Sequence, residues 1–180
     1  MSQAIDDLKH EHDVILMSLG ILDAMCRRIE LDQMTDKTDL SHFIDFLKEF
    51  ADQCHHVKEE NFLFPMLVSA GIPNEDGPIG VMLSEHDAGR NWIRLMEASM
   101  QSESLSAEFI QAAKAYGDLL RRHIDKENTI LFPMAEKVLS HNQLSDLFQQ
   151  FEEYEERVIG LGRHEQLHDH LRAMRTKYLL

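Results

Sequence analysis

The sequence predicts an all-α protein: an up-down-up-down four-helix bundle followed by an extra C-terminal helical segment. Three observations carry that prediction. Proline and glycine are scarce, four and eight among 180 residues, and the polar residues are mostly long-chain helix formers. Apolar residues recur three and four apart through four long stretches, the spacing that lays one helix face on a core. The breaks between those stretches are short, which favours antiparallel neighbours.

The first helix is expected over residues 2–31, with Ile5, Leu8, His12, Ile15, Leu19, Leu22, Cys26 and Ile29 along its seam. A polar link over 32–38 leads to a second helix over 39–70, with Phe43, Leu47, Ala51, His55, Glu59, Phe62 and Met66 inward. Gly71, Pro73, Gly77 and Pro78 mark a loop. The third helix covers 79–101, with Ile79, Met82, His86, Gly89, Ile93, Met96 and Met100 inward. After a short link over 102–105, Ser106 is the expected cap of the fourth helix. That helix covers 107–140 and turns Phe109, Ala112, Tyr116, Leu120, His123, Glu127, Ile130 and Met134 inward. Pro65 and Pro133 each remove a backbone hydrogen bond and are expected to bend or end their helices. A further helical segment over 142–158 is broken by Gly160 and Gly162, and a short last helix runs from Arg163 to Tyr178. The expected division is a bundle over 1–140 and an extension over 141–180 packed on it.

The net charge of −14 makes the phosphate backbone of nucleic acid a poor partner. No lysine-rich patch invites an anionic membrane, and the longest apolar run, Phe62 to Val68, is far too short to span one. The N-terminus, with Asp6, Asp7 and Glu11, lacks the apolar core of a leader peptide. Cys26 and Cys54 are too few for a disulfide framework and read as buried small hydrophobes in a reducing, cytoplasmic setting. Oligomeric state is not legible.

Eleven histidines are the compositional outlier, and a repeat accounts for several of them. Residues 55–66 read HHVKEENFLFPM and residues 123–134 read HIDKENTILFPM; Glu11-His12-Asp13 recurs as Glu85-His86-Asp87. The chain thus holds two copies of one pattern, a single His followed later by H-x-x-x-E and LFPM. Residues four apart on a helix share a face, so His55 with Glu59, and His123 with Glu127, point the same way. Adding His12 and His86 gives four imidazoles and two carboxylates on inward stripes. Burying these groups without partners would cost several kcal/mol. A bound cation would keep the glutamates ionised and the histidines neutral. Imidazole and carboxylate without thiolate suit iron or manganese and are compatible with zinc. Lys58 and Lys126 also repeat and read as exposed helix charges; LFPM reads as packing and a helix bend.

The pattern resembles the hemerythrin-like (HHE cation-binding) family over about residues 5–140, through His12 and His86 in EHD, His55 and Glu59 in HHVKE, and His123 and Glu127 in HIDKE. The resemblance implies a non-haem centre of two iron ions, oxo- or hydroxo-bridged, inside a four-helix bundle. By that analogy Glu59 and Glu127 bridge the ions, His12 and His55 cap one, and His86 and His123 cap the other. The chain departs from the oxygen-carrying hemerythrins at two points. Arg90 stands where those have a second His one turn after the third-helix His, and Glu127 follows His123 by four residues where those have an Asp five on. One ion is thereby short of an imidazole.

His164 and His168, in the run H-E-x-x-H, are candidates to close over the bundle and supply a fifth imidazole as metal ligands, with His164 preferred for its place beside the glycines and Glu156 a supporting partner. A zinc-protease role is disfavoured, because it needs a third ligand and a substrate cleft. His10, His42, His56, His141 and His170 fall off the inward stripes and read as surface residues, His56 because the second copy has Ile124 in its place. Tyr116, Trp92, Met82, Met96 and Met100 read as core. The leading functional expectation is binding or sensing of O2 or a related small ligand. The alternatives are an enzyme acting on peroxide or nitric oxide, or iron storage and delivery. The iron–sulfur cluster repair members of the family carry an added N-terminal cysteine-bearing domain, whereas this sequence begins at the first helix, which weighs against that role.

Overall fold

The computed structural model describes residues 2–31, 33, 35–101, 107–160 and 162–180. Among them all regular structure is helical. Helix α1, Gln3–Glu30, starts where the Ser2 side chain accepts a hydrogen bond from the Ile5 amide and ends with Arg27 and Arg28 in its last turn, where cations complement the helix dipole. Its predicted seam is buried from Ile5 to Cys26.

The second rod is a succession of helical types. Asp36 caps α2, Lys37–Phe46, by accepting from the Thr38 amide at 2.8 Å. Wide turns with i→i+5 bonding follow, π1 over Leu47–His56 and π2 over Glu59–Leu63, before α3, Phe64–Ser69, closes the rod. Gly77 and Pro78 then open α4, Pro78–Ser99, whose predicted seam is buried from Ile79 to Met96. The fourth rod repeats the second: α5, Ala107–Lys126; wide turn π3, Glu127–Leu131; and α6, Phe132–Val138. The expected Ser106 cap lies outside the described residues. Rather than ending their helices, Pro65 and Pro133 each sit one residue inside α3 and α6, directly after a wide turn. A wide turn gives room where a proline ring would otherwise strike the carbonyl four residues back.

These turns carry more residues per revolution than an α-helix and so rotate the faces. That is why inward residues were misplaced. Leu63 and Leu67 are buried where Phe62 and Met66 were expected; Leu131, Phe132 and Ala135 are buried, while Ile130 is 52% exposed. His56 and Lys58, read as surface residues, are both buried.

Ser140 and Gln143 form a reciprocal capping box for α7, His141–Tyr154. A last wide turn, π4, Glu155–Gly160, precedes α8, Arg163–Leu179. Gly160 and Gly162 take φ of +104° and +74°, left-handed values that side chains rarely adopt, and they break the helix here as the sequence predicts.

Two apolar clusters fill the interior. One gathers Ile15, Leu19 and Leu22 of α1 with Phe43, Leu47, Phe50, Ile93, Met96, Phe109, Tyr116 and Leu120. The other gathers Ile5 and Leu8 with Leu63, Leu67, Ile79, Met82, Leu131, Phe132 and Ala135. The repeat's histidines and glutamates lie in sequence between the two on every rod. The C-terminal helices serve both clusters: α7 adds Leu144, Leu147 and Phe151 to the second, and α8 adds Leu167, Leu171, Met174 and Tyr178 to the first.

Candidate metal centre

His12 from α1, His55 and Glu59 from the second rod, His86 from α4, and His123 and Glu127 from the fourth rod meet between the two apolar clusters, none more than 1% exposed. Donor atoms of His12, His55, Glu59 and Glu127 all lie within 4.8 Å of one another, as do those of Glu59, His86, His123 and Glu127. The two glutamates belong to both groups. His12 Nε2 and His123 Nε2 each lie 3.2 Å from Glu127 Oε2. Glu59 Oε2 lies 3.4 Å from His86 Nε2 and 3.7 Å from His55 Nε2.

The outward nitrogen of every imidazole is spoken for. Nδ1 of His55 meets Glu11 Oε2 at 2.9 Å, and Nδ1 of His123 meets Glu85 Oε2 at 2.9 Å. Nδ1 of His86 meets Glu60 Oε1 at 2.7 Å, and Nδ1 of His12 meets Asn128 Oδ1 at 3.0 Å. These contacts obey the repeat. The Glu before each single His holds the His of the H-x-x-x-E motif, while the residue after each motif Glu holds the single His. Such contacts fix the ring and leave Nε2 facing inward.

Two lysines complete the frame and correct the reading of both as exposed. Lys58 is fully buried, with Nζ 2.9 Å from Glu11 and 2.8 Å from Asp7 and a further ion pair to Glu155. Lys126, a third exposed, pairs with Glu85. Burial opposes the charge on Lys58, but Glu11, Asp7 and Glu155 outweigh it and hold the ammonium protonated. Burial would likewise raise Glu11, yet His164, His55 and Lys58 keep its carboxyl well below the usual range. The signal for this frame was in the sequence, since Glu11, Glu85, Lys58 and Lys126 all repeat.

Facing inward, the picture reverses. His12 Nε2, His55 Nε2 and both oxygens of Glu59 and of Glu127 are buried and make no hydrogen bond. Burial and then the Glu127 carboxylate push Glu59 far above the ordinary carboxylate value, because two buried carboxylates in contact resist ionising together. Burial also pushes His55 down to about 4 and His86 down to about 3. Neutral imidazoles aimed at carboxylates that lack donors form a cage for a cation. The residues therefore fit metal ions, and hard-to-intermediate ones by their O and N donors.

His56 is the residue the sequence misplaced. It is 3% exposed, its ring stacks on His86 at 3.9 Å, and one of its ring nitrogens falls within 4.8 Å of one on each of His86 and His123. By contrast His164 and His168 stay outside the four-imidazole group. His164 Nε2 lies 3.8 Å from Glu11 Oε1, in a cluster with Cys54 and Glu155, and both rings rest on Phe50. The anchoring of α8 through Leu167, Leu171 and Met174 sets them there, behind the frame. Glu155 reaches this corner, and Glu156 lines a cavity with it beside His164. Tyr116 is core, with a buried hydroxyl that has no hydrogen-bond partner.

A family model, the hemerythrin HHE cation binding domain, matches residues 3–135. An uncharacterised protein of Mycobacterium tuberculosis, Rv1995, is 27% identical over 165 residues, 87% of this chain and 63% of that relative. The iron-sulfur cluster repair protein YtfE of Escherichia coli O81 is 32% identical over 115 residues, 60% of this chain and 52% of that relative. The chain thus spans between about half and two thirds of the length of the curated relatives it matches. No solved structure matches it, and no described helix is long and apolar enough to cross a membrane. On the family match over residues 3–135, a range that takes in the His and Glu residues that converge in the interior, the chain belongs to the hemerythrin HHE cation-binding family.

Proposed function

We propose that the protein is a non-haem di-iron protein that binds or senses O2 or a related small ligand. His12 and His55 would hold one ion, His86 and His123 the other, and Glu59 and Glu127 would be shared between them. The observation that carries this reading is that the inward nitrogens of His12 and His55 and the oxygens of Glu59 and Glu127 have no hydrogen bond, while those of His86 and His123 hydrogen-bond only to each other, at 3.0 Å, each imidazole being fixed from behind. Iron held this way supplies reversible redox chemistry and open coordination to a small ligand. The protein's own part is to orient the rings, exclude water between two apolar clusters and restrict size, since every ligand residue is buried.

The up-down-up-down arrangement is part of the same reading. It is supported by the order in which successive rods visit the clusters: α1 and α4 run from the second to the first, the second and fourth rods from the first to the second. Residues 1–140 would form the bundle and 141–180 an extension clasping it along α1. We place His164 and His168 behind Glu11, acting on the centre through that carboxylate.

A second reading, an enzyme acting on nitric oxide or peroxide or serving iron–sulfur repair, is favoured by the likeness to YtfE. The test is to load the protein with iron without air and then add O2, peroxide or nitric oxide while following the optical spectrum. A reversible oxygenated spectrum supports the binder; turnover of peroxide or nitric oxide supports the enzyme; no ligand response from an iron-loaded protein sinks both.

A further inference from the structure

Resting on the di-metal reading, we infer that His56 supplies a third imidazole to the ion beside His86 and His123, from the second rod rather than from α4.

Arg90 occupies the place one turn after His86 and is not a ligand. Its Nε donates to Asp52 Oδ1 at 2.8 Å and its Nη2 to Glu60 Oε1 at 2.7 Å. Glu60 Oε1 in turn meets His86 Nδ1 at 2.7 Å, and Asp52 Oδ1 lies 3.6 Å from His56 Nδ1. One guanidinium thus anchors two carboxylates, each facing the outer edge of one imidazole. A carboxylate therefore stands behind His56 as one does behind His86, at ion-pair rather than hydrogen-bond distance.

The ring of His56 lies nearly parallel to His86, at 17°, and edge-on to His123, with centroids 5.8 Å apart. Both of its nitrogens are buried and without hydrogen bonds. Such a group costs free energy wherever it is merely filler. Packing alone does not require it, because the second copy fills the equivalent position with Ile124, also buried. The histidine is present on the side where its ring meets His86 and His123, and the wide turn Leu47–His56 swings it there from the face that α-helical spacing predicts. The two ions then differ: His12 and His55 serve one, while His56, His86 and His123 serve the other, so the first keeps the smaller protein ligand set and the freer position.

The test compares wild type with His56→Leu, titrated anaerobically with Fe(II) against a chelator, with circular dichroism as the control for folding. The expected result is two ions in wild type and, in the variant, one retained ion and a second weakened at least about tenfold, as even the loss of a supporting partner does. Zinc-loaded wild type, labelled with nitrogen-15, gives a readout that needs no variant: the ring-nitrogen shifts of five imidazoles, His56 among them, should move to metal-bound values. Two ions of unchanged affinity in His56→Leu, or a His56 ring that keeps its metal-free shifts while the other four move, overturns this assignment and leaves the centre standing. A folded wild-type protein that takes up neither metal overturns both.

Discussion

Each of the four repeat imidazoles has one nitrogen tied to a carboxylate or amide and the other facing the centre, and the strength of the tie differs between the copies. Glu11 is buried and shared between His55 and Lys58, whose ammonium also meets Asp7, whereas Glu85 is a fifth exposed. Glu11→Gln should therefore weaken metal binding about 10- to 100-fold, and Glu85→Gln should do so less; chelator competition measures both, and equal effects would contradict the difference in burial. The lysines should part more widely. Lys58→Met strands Glu11, Asp7 and Glu155 around an apolar group, so the metal-free protein should lose about 3–5 kcal/mol in urea denaturation. Lys126→Met, at a third-exposed pair, should cost about 1 kcal/mol or less. Four of the six central residues were legible from spacing, because H-x-x-x-E on a helix fixes a shared face, and His12 and His86 from the recurring E-H-D. Their supports were legible only as a repeat without a role: sequence shows that Lys58 recurs, but its burial depends on Asp7 and Glu155 arriving from other helices.

At the scale of elements, the wide turns decide which side chains face inward. Spacing by an α-helical period placed the seams of α1 and α4 correctly, since those helices are regular throughout. It failed on the second and fourth rods, where Phe62, Met66 and Ile130 gave way to Leu63, Leu67 and Leu131 and where His56 was lost to the surface. The repeated LFPM was the available sign, read as a bend when its proline follows a widened turn. Replacing Pro65 and Pro133 together by alanine should restore the missing amides, let the turns rewind and lower metal affinity while helicity by circular dichroism holds. Unchanged affinity would show that packing alone keeps the turns open. The break before α8 is simpler: Gly162→Ala should cost about 1 kcal/mol in thermal or urea unfolding, the penalty of a side chain at left-handed φ.

Over the whole molecule, a polar layer divides two apolar clusters, and the metal-free protein should reveal its presence through pH. His55, His56 and His86 are held neutral by burial, at about 4, 3 and 3 against an ordinary 6.5. Unfolding frees them to take up protons, so the unfolded state binds more protons below pH 6.5 and stability falls with pH. Metal-free protein should be most stable against these three groups above pH 6.5 and lose between one and three protons' worth of stability, roughly 1.4 kcal/mol each per pH unit, on the way down to pH 4. Glu59 acts in the opposite sense, its raised value being a stability lost as pH rises and the pair is forced to ionise. A bound cation relieves the carboxylate repulsion but needs the imidazoles neutral and so competes with protons; metal should therefore raise stability most at neutral pH and least in acid, and urea midpoints across pH with and without Fe(II) check this.

The most direct test of the centre itself is the iron stoichiometry of anaerobically reconstituted protein, in wild type and in Glu59→Gln and Glu127→Gln. About two irons per chain are expected if the proposed centre is of the kind found in carboxylate-bridged helical bundles, with a loss of affinity for both ions when either shared glutamate is changed. A single iron per chain, or variants that disturb only one ion, would contradict a centre in which Glu59 and Glu127 are held in common.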